Sequence, residues 1–136
     1  MLSSSPAVRA PRRAAAEPNE LPAIVQDAVN CADVDAFVTA HADDATVVMP
    51  PDGATAVGRD EIRAGIVSLF SMQPRLRLVP GKTLRAGELA LTHGRWQLTL
   101  VDAGSRIELG GLGTMVSRRS ADGTWHIVLD DPLTRP

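Results

Sequence analysis

Apolar residues in the first half of the chain recur at the spacing of α-helices. After Asn19 they form one nearly continuous stripe, which comprises Leu21, Ile24, Val25, Ala28, Val29 and Ala32. A shorter stripe follows Asp33, and a third follows Gly58, with apolar residues at the i, i+4, i+7 and i+8 positions. Because Asn and Asp side chains cap the amino-terminal ends of helices, the pattern predicts three helices that begin near Asn19, Asp33 and Gly58.

From Pro74 the spacing changes to the two-residue period of β-strands. Together with an earlier strand at 45–49, the pattern predicts strands at 75–79, 82–85, 88–101, 106–119 and 125–131. The parity of the apolar residues changes within two long strands, near Gly94 and near Gly110 and Gly111, as a β-bulge would cause. Because bulged strands bend, we predict a strongly curved sheet.

These elements predict an α+β domain shaped like a cone, in which three amino-terminal helices pack on the concave face of a mixed or antiparallel sheet. Such a cone encloses a pocket for an apolar ligand between the helices and the sheet. We assign residues 19–136 to this domain. Residues 1–18 are rich in Ser, Ala, Pro and Arg, with Glu17 as their one acidic residue, and are predicted to be a disordered tail.

Composition narrows the classes of partner. A hydrophobic content of 44% over 136 residues is sufficient for a packed core, and the net charge of -2 argues against nucleic acid as a partner. The one cysteine, Cys31, rules out an internal disulfide; it falls on the apolar side of the first helix and is predicted to be buried. No apolar run approaches the roughly 20 residues that span a bilayer, so we expect no membrane association and a cytoplasmic protein.

Three motifs carry a resemblance to a known family. They are ADDATV at residues 42–47, GRDEI at 58–62 and DGTWHIVLDDP at 122–132. With the positions between them, they resemble the SnoaL-like and ketosteroid isomerase-like family of the nuclear-transport-factor-2-like superfamily over most of residues 21–132. The resemblance implies a small cone that is often homodimeric and that binds hydrophobic molecules or catalyses proton transfer.

The residues that serve ketosteroid isomerases do not align with polar residues here. The resemblance places the catalytic aspartate at Met49, the oxyanion tyrosine near Val25 and the oxyanion aspartic acid near Met115. Methionine and valine cannot transfer a proton, so isomerisation by the familiar residues is excluded on this alignment. With Phe70 and Trp96, these three residues are instead predicted to line an apolar ligand pocket, and packing in the core without a ligand is the alternative.

Three side chains remain as candidates for catalysis. His93 has the parity of Leu91 and is predicted to face the pocket as a general base, although a histidine at a bulge can equally face solvent. Asp44 is a candidate for the mouth of the cone, with an ordinary turn residue as the alternative. SnoaL-like cyclases are expected to place a carboxylate at the end of the last strand, which here offers Asp130 and Asp131.

The parity of the last strand leaves open which of these two carboxylates faces the pocket. Asp131 shares the parity of Trp125, Ile127 and Leu129, whereas Asp130 shares that of the other face. A pair that ends the strand and faces water is the structural alternative.

Two functions follow from these residues. In the first, the protein is an isomerase or cyclase of secondary metabolism without metal or cofactor, in which His93, assisted by Asp130 or Asp44, moves a proton next to a carbonyl. In the second, it is a non-catalytic ligand-binding or accessory subunit, and catalysis itself stays open. His41, His93 and His126 lack a close-spaced ligand motif, so no metal site is predicted.

Overall fold

The computed structural model describes residues 14–132, which form one mixed sheet with three helices on one face. The helices are α1 (Leu21–Asn30), α2 (Val34–Thr39) and α3 (Gly58–Phe70), preceded by a 3₁₀ turn at Pro18–Glu20. The strands are β1 (His41–Met49), β2 (Ala54–Val57), β3 (Arg75–Ala86), β4 (Leu89–Asp102), β5 (Ser105–Arg119) and β6 (Trp125–Asp131). Their order in the sheet is β2-β1-β6-β5-β4-β3, with β1 and β6 parallel and the other neighbours antiparallel. The predicted α+β class with three helices is therefore confirmed.

The helices begin where local chemistry satisfies their first amides. The Asp33 carboxylate accepts a hydrogen bond from the amide of Ala36 at 3.1 Å, as predicted for a cap of α2. Before α3, the Glu61 carboxylate accepts a hydrogen bond from the amide of Val57 at 2.8 Å. The predicted cap at Asn19 is wrong, because Asn19 lies inside the 3₁₀ turn and α1 begins at Leu21.

The domain begins earlier in the chain than predicted. Residues 14–18, which we assigned to the tail, lie against the sheet: Ala15 is buried, and its carbonyl accepts a hydrogen bond from the amide of Trp125 at 2.9 Å. The rest of the predicted tail, residues 1–13, lies outside the described residues, as do residues 133–136. Cys31 is exposed rather than buried, because α1 ends at Asn30 and the helical stripe does not continue to it.

The strands differ from the sequence pattern in their lengths. β1 starts at His41 rather than Ala45, and the short strand β2 was not predicted. The two short strands predicted on either side of Pro80 form one strand, β3, whose pairing with β4 shifts register between Pro80 and Thr83.

The bulges predicted in β4 and β5 are wrong. These strands pair without a register shift from Leu89 opposite Arg118 to Asp102 opposite Ser105. The inward residues of β4 are the even-numbered ones throughout: Ala90, Thr92, Trp96, Leu98 and Leu100 are buried. The change of parity that suggested a bulge arose because Leu89 and Leu91 are apolar residues on the outer face.

That outer face carries an apolar row across the whole sheet. Pairing places side by side Leu84, Leu91, Val116, Leu129, Thr46 and Val57, one from each strand. Leu84 and Leu129 are each 51% exposed, which is unusual for leucine in a strand.

The core lies between the concave face of the sheet and the helices. α1 contacts β3, α3 contacts β1, and α2 contacts both other helices. Ile62 and Ile66 of α3 and Ile127 of β6 are completely buried there. Within residues 14–132, no helix combines the length and the apolar character that crossing a membrane requires.

Candidate functional site

A cavity of about 110 Å³ lies between the helices and the concave face of the sheet. Four of the five predicted pocket residues border it: Val25 of α1, Met49 of β1, Trp96 of β4 and Met115 of β5. The fifth, Phe70, does not. It packs against the core from the end of α3, because Leu69 faces the cavity and each helical residue is rotated by about 100° from the one before it.

One row of residues on the concave face contains an ionisable side chain of the cavity, that of Asp130. Val47 of β1 lies beside Asp130 of β6, Asp130 lies beside Met115 of β5, and Met115 lies beside Thr92 of β4. All four residues border the cavity. A carboxyl group is thus held between two apolar side chains on the neighbouring strands.

A register shift decides that Asp130, and not Asp131, faces the cavity. Trp125 and Ile127 are buried, as their shared parity predicts. Between β5 and β6 the pairing then slips by one residue, and after the slip Leu129 is 51% exposed. Parity is reversed beyond that point, so Asp130 turns inward and borders the cavity.

The surroundings of Asp130 favour its neutral form. Burial, and secondarily the nearby Asp131 carboxylate, raise the pKa of Asp130 to about 7. Part of the residue's surface remains accessible because it borders the cavity. Within residues 14–132, its carboxyl group accepts no hydrogen bond that would stabilise the charge. At neutral pH the protonated and ionised forms are both populated, so the group can donate a proton or accept one.

Contacts with β4 and β5 hold the end of β6 in place next to the carboxyl group of Asp130. The indole nitrogen of Trp96 donates a hydrogen bond to the carbonyl of Pro132 at 2.6 Å. Gly113 of β5 allows the close approach, since a Cβ atom there would lie 3.1 Å from the Cα atom of Pro132. These contacts fix the backbone two residues beyond Asp130, and so help to orient it.

His93 lies on the other side of β4 from the position that we predicted. Because β4 has no bulge, its odd-numbered residues face outward, and His93 is exposed. Its Nδ1 atom lies 3.2 Å from the Oγ1 atom of Thr114 on β5. His93 still borders the cavity, so it is a residue of the rim rather than of the interior.

Asp44 does not belong to the site. It is exposed on β1 and accepts a hydrogen bond from the guanidinium group of Arg118 at 2.9 Å, which lowers the pKa of its carboxyl. It does not border the cavity. The prediction that it lines the mouth of the cone is wrong, because β1 has already begun at His41 and holds Asp44 as a strand residue.

Thr92 is a polar residue of the cavity that sequence reasoning missed. It is buried, and its hydroxyl oxygen lies 3.0 Å from that of Thr83 on β3. The even parity of Trp96, Leu98 and Leu100 would have indicated it, had that parity been extended through Gly94.

His41 is a buried ionisable residue that belongs to the core rather than to the cavity. Its Nδ1 atom lies 2.7 Å from the carbonyl of Phe37, and its Nε2 atom has no hydrogen-bond partner among the described residues. Burial is the main cause that lowers the pKa of His41 to about 4, so the ring is neutral at pH 7. Within residues 14–132, no group of three or more His, Cys, Asp or Glu side chains is arranged to hold a metal ion.

An open mixed sheet that wraps an apolar cavity under three helices defines an α+β domain. The model of one protein family, the SnoaL-like domain, matches residues 23–128. This chain therefore belongs to the SnoaL-like domain family.

Solved structures share the fold at low sequence identity. A ketosteroid isomerase-like protein from Erwinia carotovora atroseptica SCRI1043 is 20% identical, with 82% of this chain and 88% of that chain covered and a TM-score of 0.72. An NTF2-like protein with a cystatin-like fold from Novosphingobium aromaticivorans is 20% identical, over 82% and 75% of the two chains, with a TM-score of 0.67.

A third structure is slightly more similar in sequence. It is a putative calcium/calmodulin-dependent protein kinase type II association domain from Thiobacillus denitrificans ATCC 25259, 25% identical over 90% of this chain and 99% of that chain, with a TM-score of 0.72. Among curated proteins, none matches this sequence at a significant level.

Proposed function

We propose that this protein is an acid–base enzyme, of the isomerase or cyclase type, that acts on a small hydrophobic carbonyl compound without metal or cofactor. The observation that carries the proposal is Asp130: one carboxyl group, in an apolar row of the cavity wall, with a pKa raised to about 7. Perturbed ionisable groups in apolar cavities are typical of active sites.

The chemistry needs both forms of this carboxyl group. In its ionised form Asp130 removes a proton from the carbon next to the carbonyl, and the electron pair of that C–H bond moves into an enolate. The protonated acid then returns the proton to another carbon, and the double bond has shifted. In a cyclase, the enolate carbon would instead form a bond to a second carbonyl carbon, and the acid would protonate the new alkoxide. A pKa near 7 suits a group that must first accept and then donate.

His93 has a lesser role in this mechanism than its sequence position suggested. As an exposed residue of the rim, it can contact a polar end of the substrate that reaches solvent. We assign proton transfer to Asp130 and treat His93 as a residue of substrate entry.

The size of the cavity limits the substrate. A dry apolar cavity of about 150 Å³ holds benzene. The cavity here, at about 110 Å³, is smaller, so we infer a compact substrate of at most about one ring.

Turnover of a small β,γ-unsaturated ketone tests the proposal. 3-Cyclohexen-1-one is suitable because the conjugated product absorbs near-ultraviolet light far more strongly than the unconjugated substrate does. The Asp130→Asn substitution should lower the rate by about 10²–10⁴-fold, as is usual for loss of a general base, while ketone binding is largely kept. The matched control is Asp131→Asn on the next residue, which does not border the cavity. It should retain most activity at neutral pH and shift the pH dependence downward, because the Asp131 carboxylate contributes to the raised pKa of Asp130.

A second candidate is a non-catalytic binding protein, favoured by the apolar residues at the positions where ketosteroid isomerases carry polar ones. Val25, Met49 and Met115 all border the cavity. A binding protein would carry a molecule that co-purifies and appears in native mass spectrometry, and it would form no product at any pH. Rates at the uncatalysed background for both the wild type and Asp130→Asn would favour this candidate.

We also propose that two copies of the chain associate through the outer face of the sheet. The apolar row that includes Leu84 and Leu129 supports this, because a contiguous set of exposed leucines on one face of a sheet is typical of an interface. One structural neighbour is described as an association domain, which agrees with the proposal. A cytoplasmic location remains a prediction that cell fractionation can test.

A further inference from the structure

A second cavity, of about 310 Å³, lies next to the first, between β2 and α3. The two cavities share part of their walls: Met49, Pro50 and Leu69 border both. Met49 is the most adaptable of these three, because its side chain is long, unbranched and flexible. It is also buried, with 6% of its surface exposed.

Met49 holds its position because α3 has a glycine opposite it. A Cβ atom at Gly65 would lie 3.2 Å from the Cγ atom of Met49, 3.4 Å from its Cε atom and 3.6 Å from its Sδ atom. The missing side chain of Gly65 therefore leaves the space that the end of Met49 occupies. Contact along the whole thioether means that Met49 fills the region where the two cavities would otherwise meet.

The two volumes indicate what this arrangement does to a ligand. Sites for drug-sized ligands occupy about 300–1,000 Å³. The cavity at Asp130 is far below that range at about 110 Å³, whereas the cavity behind Met49 reaches it at about 310 Å³. A ligand with its carbonyl at Asp130 can bury a long alkyl tail inside the protein only if the tail passes the position of Met49.

We propose that Met49 is a specificity-determining residue that restricts the protein to compact carbonyl compounds and excludes long-chain ones. Behind it, the cavity between β2 and α3 is a latent subsite for an alkyl tail. This inference rests on the proposed function in placing the carbonyl of the ligand at Asp130. It goes further by naming the feature that selects among ligands.

Binding of two ketones to the full chain tests the inference. The probes are cyclohexanone, which is compact, and 2-undecanone, which places a nine-carbon tail beyond its carbonyl. Dissociation constants can be measured from the change in tryptophan fluorescence, because Trp96 borders the cavity and the second tryptophan, Trp125, does not. The wild type should prefer cyclohexanone. Met49→Ala should bind 2-undecanone at least about tenfold more tightly than the wild type does, because several methylene groups of the tail can then be buried in the second cavity. Its affinity for cyclohexanone should change less than its affinity for 2-undecanone.

Two further variants sharpen the test. Gly65→Ala should push Met49 toward the first cavity and weaken the binding of cyclohexanone. This loss of affinity is opposite in sign to the gain of affinity that Met49→Ala should give for 2-undecanone. Val67→Ala is the matched control, because Val67 lies on α3, borders neither cavity and should not change the preference for chain length. If Met49→Ala does not fold, as judged by circular dichroism, Met49→Val replaces it as a smaller truncation.

Three results would overturn the inference. They are a wild type that binds both ketones equally well, a folded Met49 variant with no gain for 2-undecanone, and a complete absence of ketone binding. The proposed function can fail separately: a change in length preference together with no turnover in any variant would support the role of Met49 and refute the enzyme.

Discussion

Asp130 and Met115 lie directly beside each other on neighbouring strands, and both face the cavity. The resemblance to ketosteroid isomerases places an oxyanion acid near Met115, where this chain has no acid. The carboxyl group of the cavity stands one strand away instead. The acid whose pKa is raised by burial is therefore found here on β6 rather than on β5.

The pKa of Asp130 has a consequence for stability. The ordinary pKa of an aspartate is 3.8, and in the folded protein it is raised to about 7. Between these values the folded state keeps a proton that the unfolded state has lost, so the free energy of unfolding should fall as pH rises from about 4 to about 7 and then level off. The change is at most on the order of 4 kcal/mol, because each pKa unit corresponds to about 1.4 kcal/mol and the group is partly accessible.

Urea denaturation at a series of pH values measures this change. In Asp130→Asn the contribution should be absent, so the difference between the variant and the wild type should grow between pH 5 and pH 8 in favour of the variant. A difference that does not vary with pH would show that Asp130 titrates normally.

His41 should produce a slope of the opposite sign. Its pKa is lowered from 6.5 to about 4, so below pH 6.5 the unfolded state binds a proton that the folded state refuses. The contribution of His41 to the free energy of unfolding is therefore fully present above about pH 6.5. It decreases as the pH falls from about 6.5 to about 4. His41→Gln is expected to be less stable at pH 7, since the buried ring is lost, but to lose less stability on acidification. His126→Gln is the control, because that residue is only partly buried.

Trp96 should influence the titration of Asp130 through the backbone. Trp96→Phe removes the hydrogen bond to the Pro132 carbonyl and keeps most of the ring, so a loss of about 1 kcal/mol in stability is expected. If that bond orients the end of β6, the midpoint of the pH–rate profile of 3-cyclohexen-1-one turnover should also shift. A loss of stability with an unchanged pH profile would limit Trp96 to a structural role.

The outer face of the sheet should determine the oligomeric state. Leu129→Arg places a charge at the centre of the apolar row and should convert a dimer into a monomer, as measured by light scattering during gel filtration. Val67→Arg is the matched control: Val67 is 51% exposed, like Leu129, but lies on α3. A wild-type monomer at micromolar concentration, or dissociation by both substitutions, would contradict the prediction.

His93 is expected to be of secondary importance. Because it is exposed at the rim, His93→Ala should lower turnover by less than about tenfold, well below the 10²–10⁴-fold typical of a lost acid–base group. Steady-state kinetics of 3-cyclohexen-1-one isomerisation can measure this. A loss as large as that in Asp130→Asn would restore His93 to the catalytic role that its sequence position suggested.

Much of the fold could be read from the sequence because it is encoded locally. The helical stripe from Leu21 to Val29 is buried where its 3.6-residue period requires, and the Asp33 carboxylate caps the following helix. The cavity residues Val25, Met49 and Met115, in contrast, were predicted from the resemblance to the family, without knowledge of strand pairing.

Tertiary structure alone decided which side chains of the long strands face that cavity. Leu91 of β4 is apolar but lies on the outer face. Because His93 shares its parity, the sequence pattern wrongly predicted that His93 faces inward, and it did not indicate the buried Thr92. In β6, one slip of register against β5 turned Asp130 inward. A strand sequence states only that alternate residues share a face; the partner strand determines which face is buried and where the alternation is interrupted.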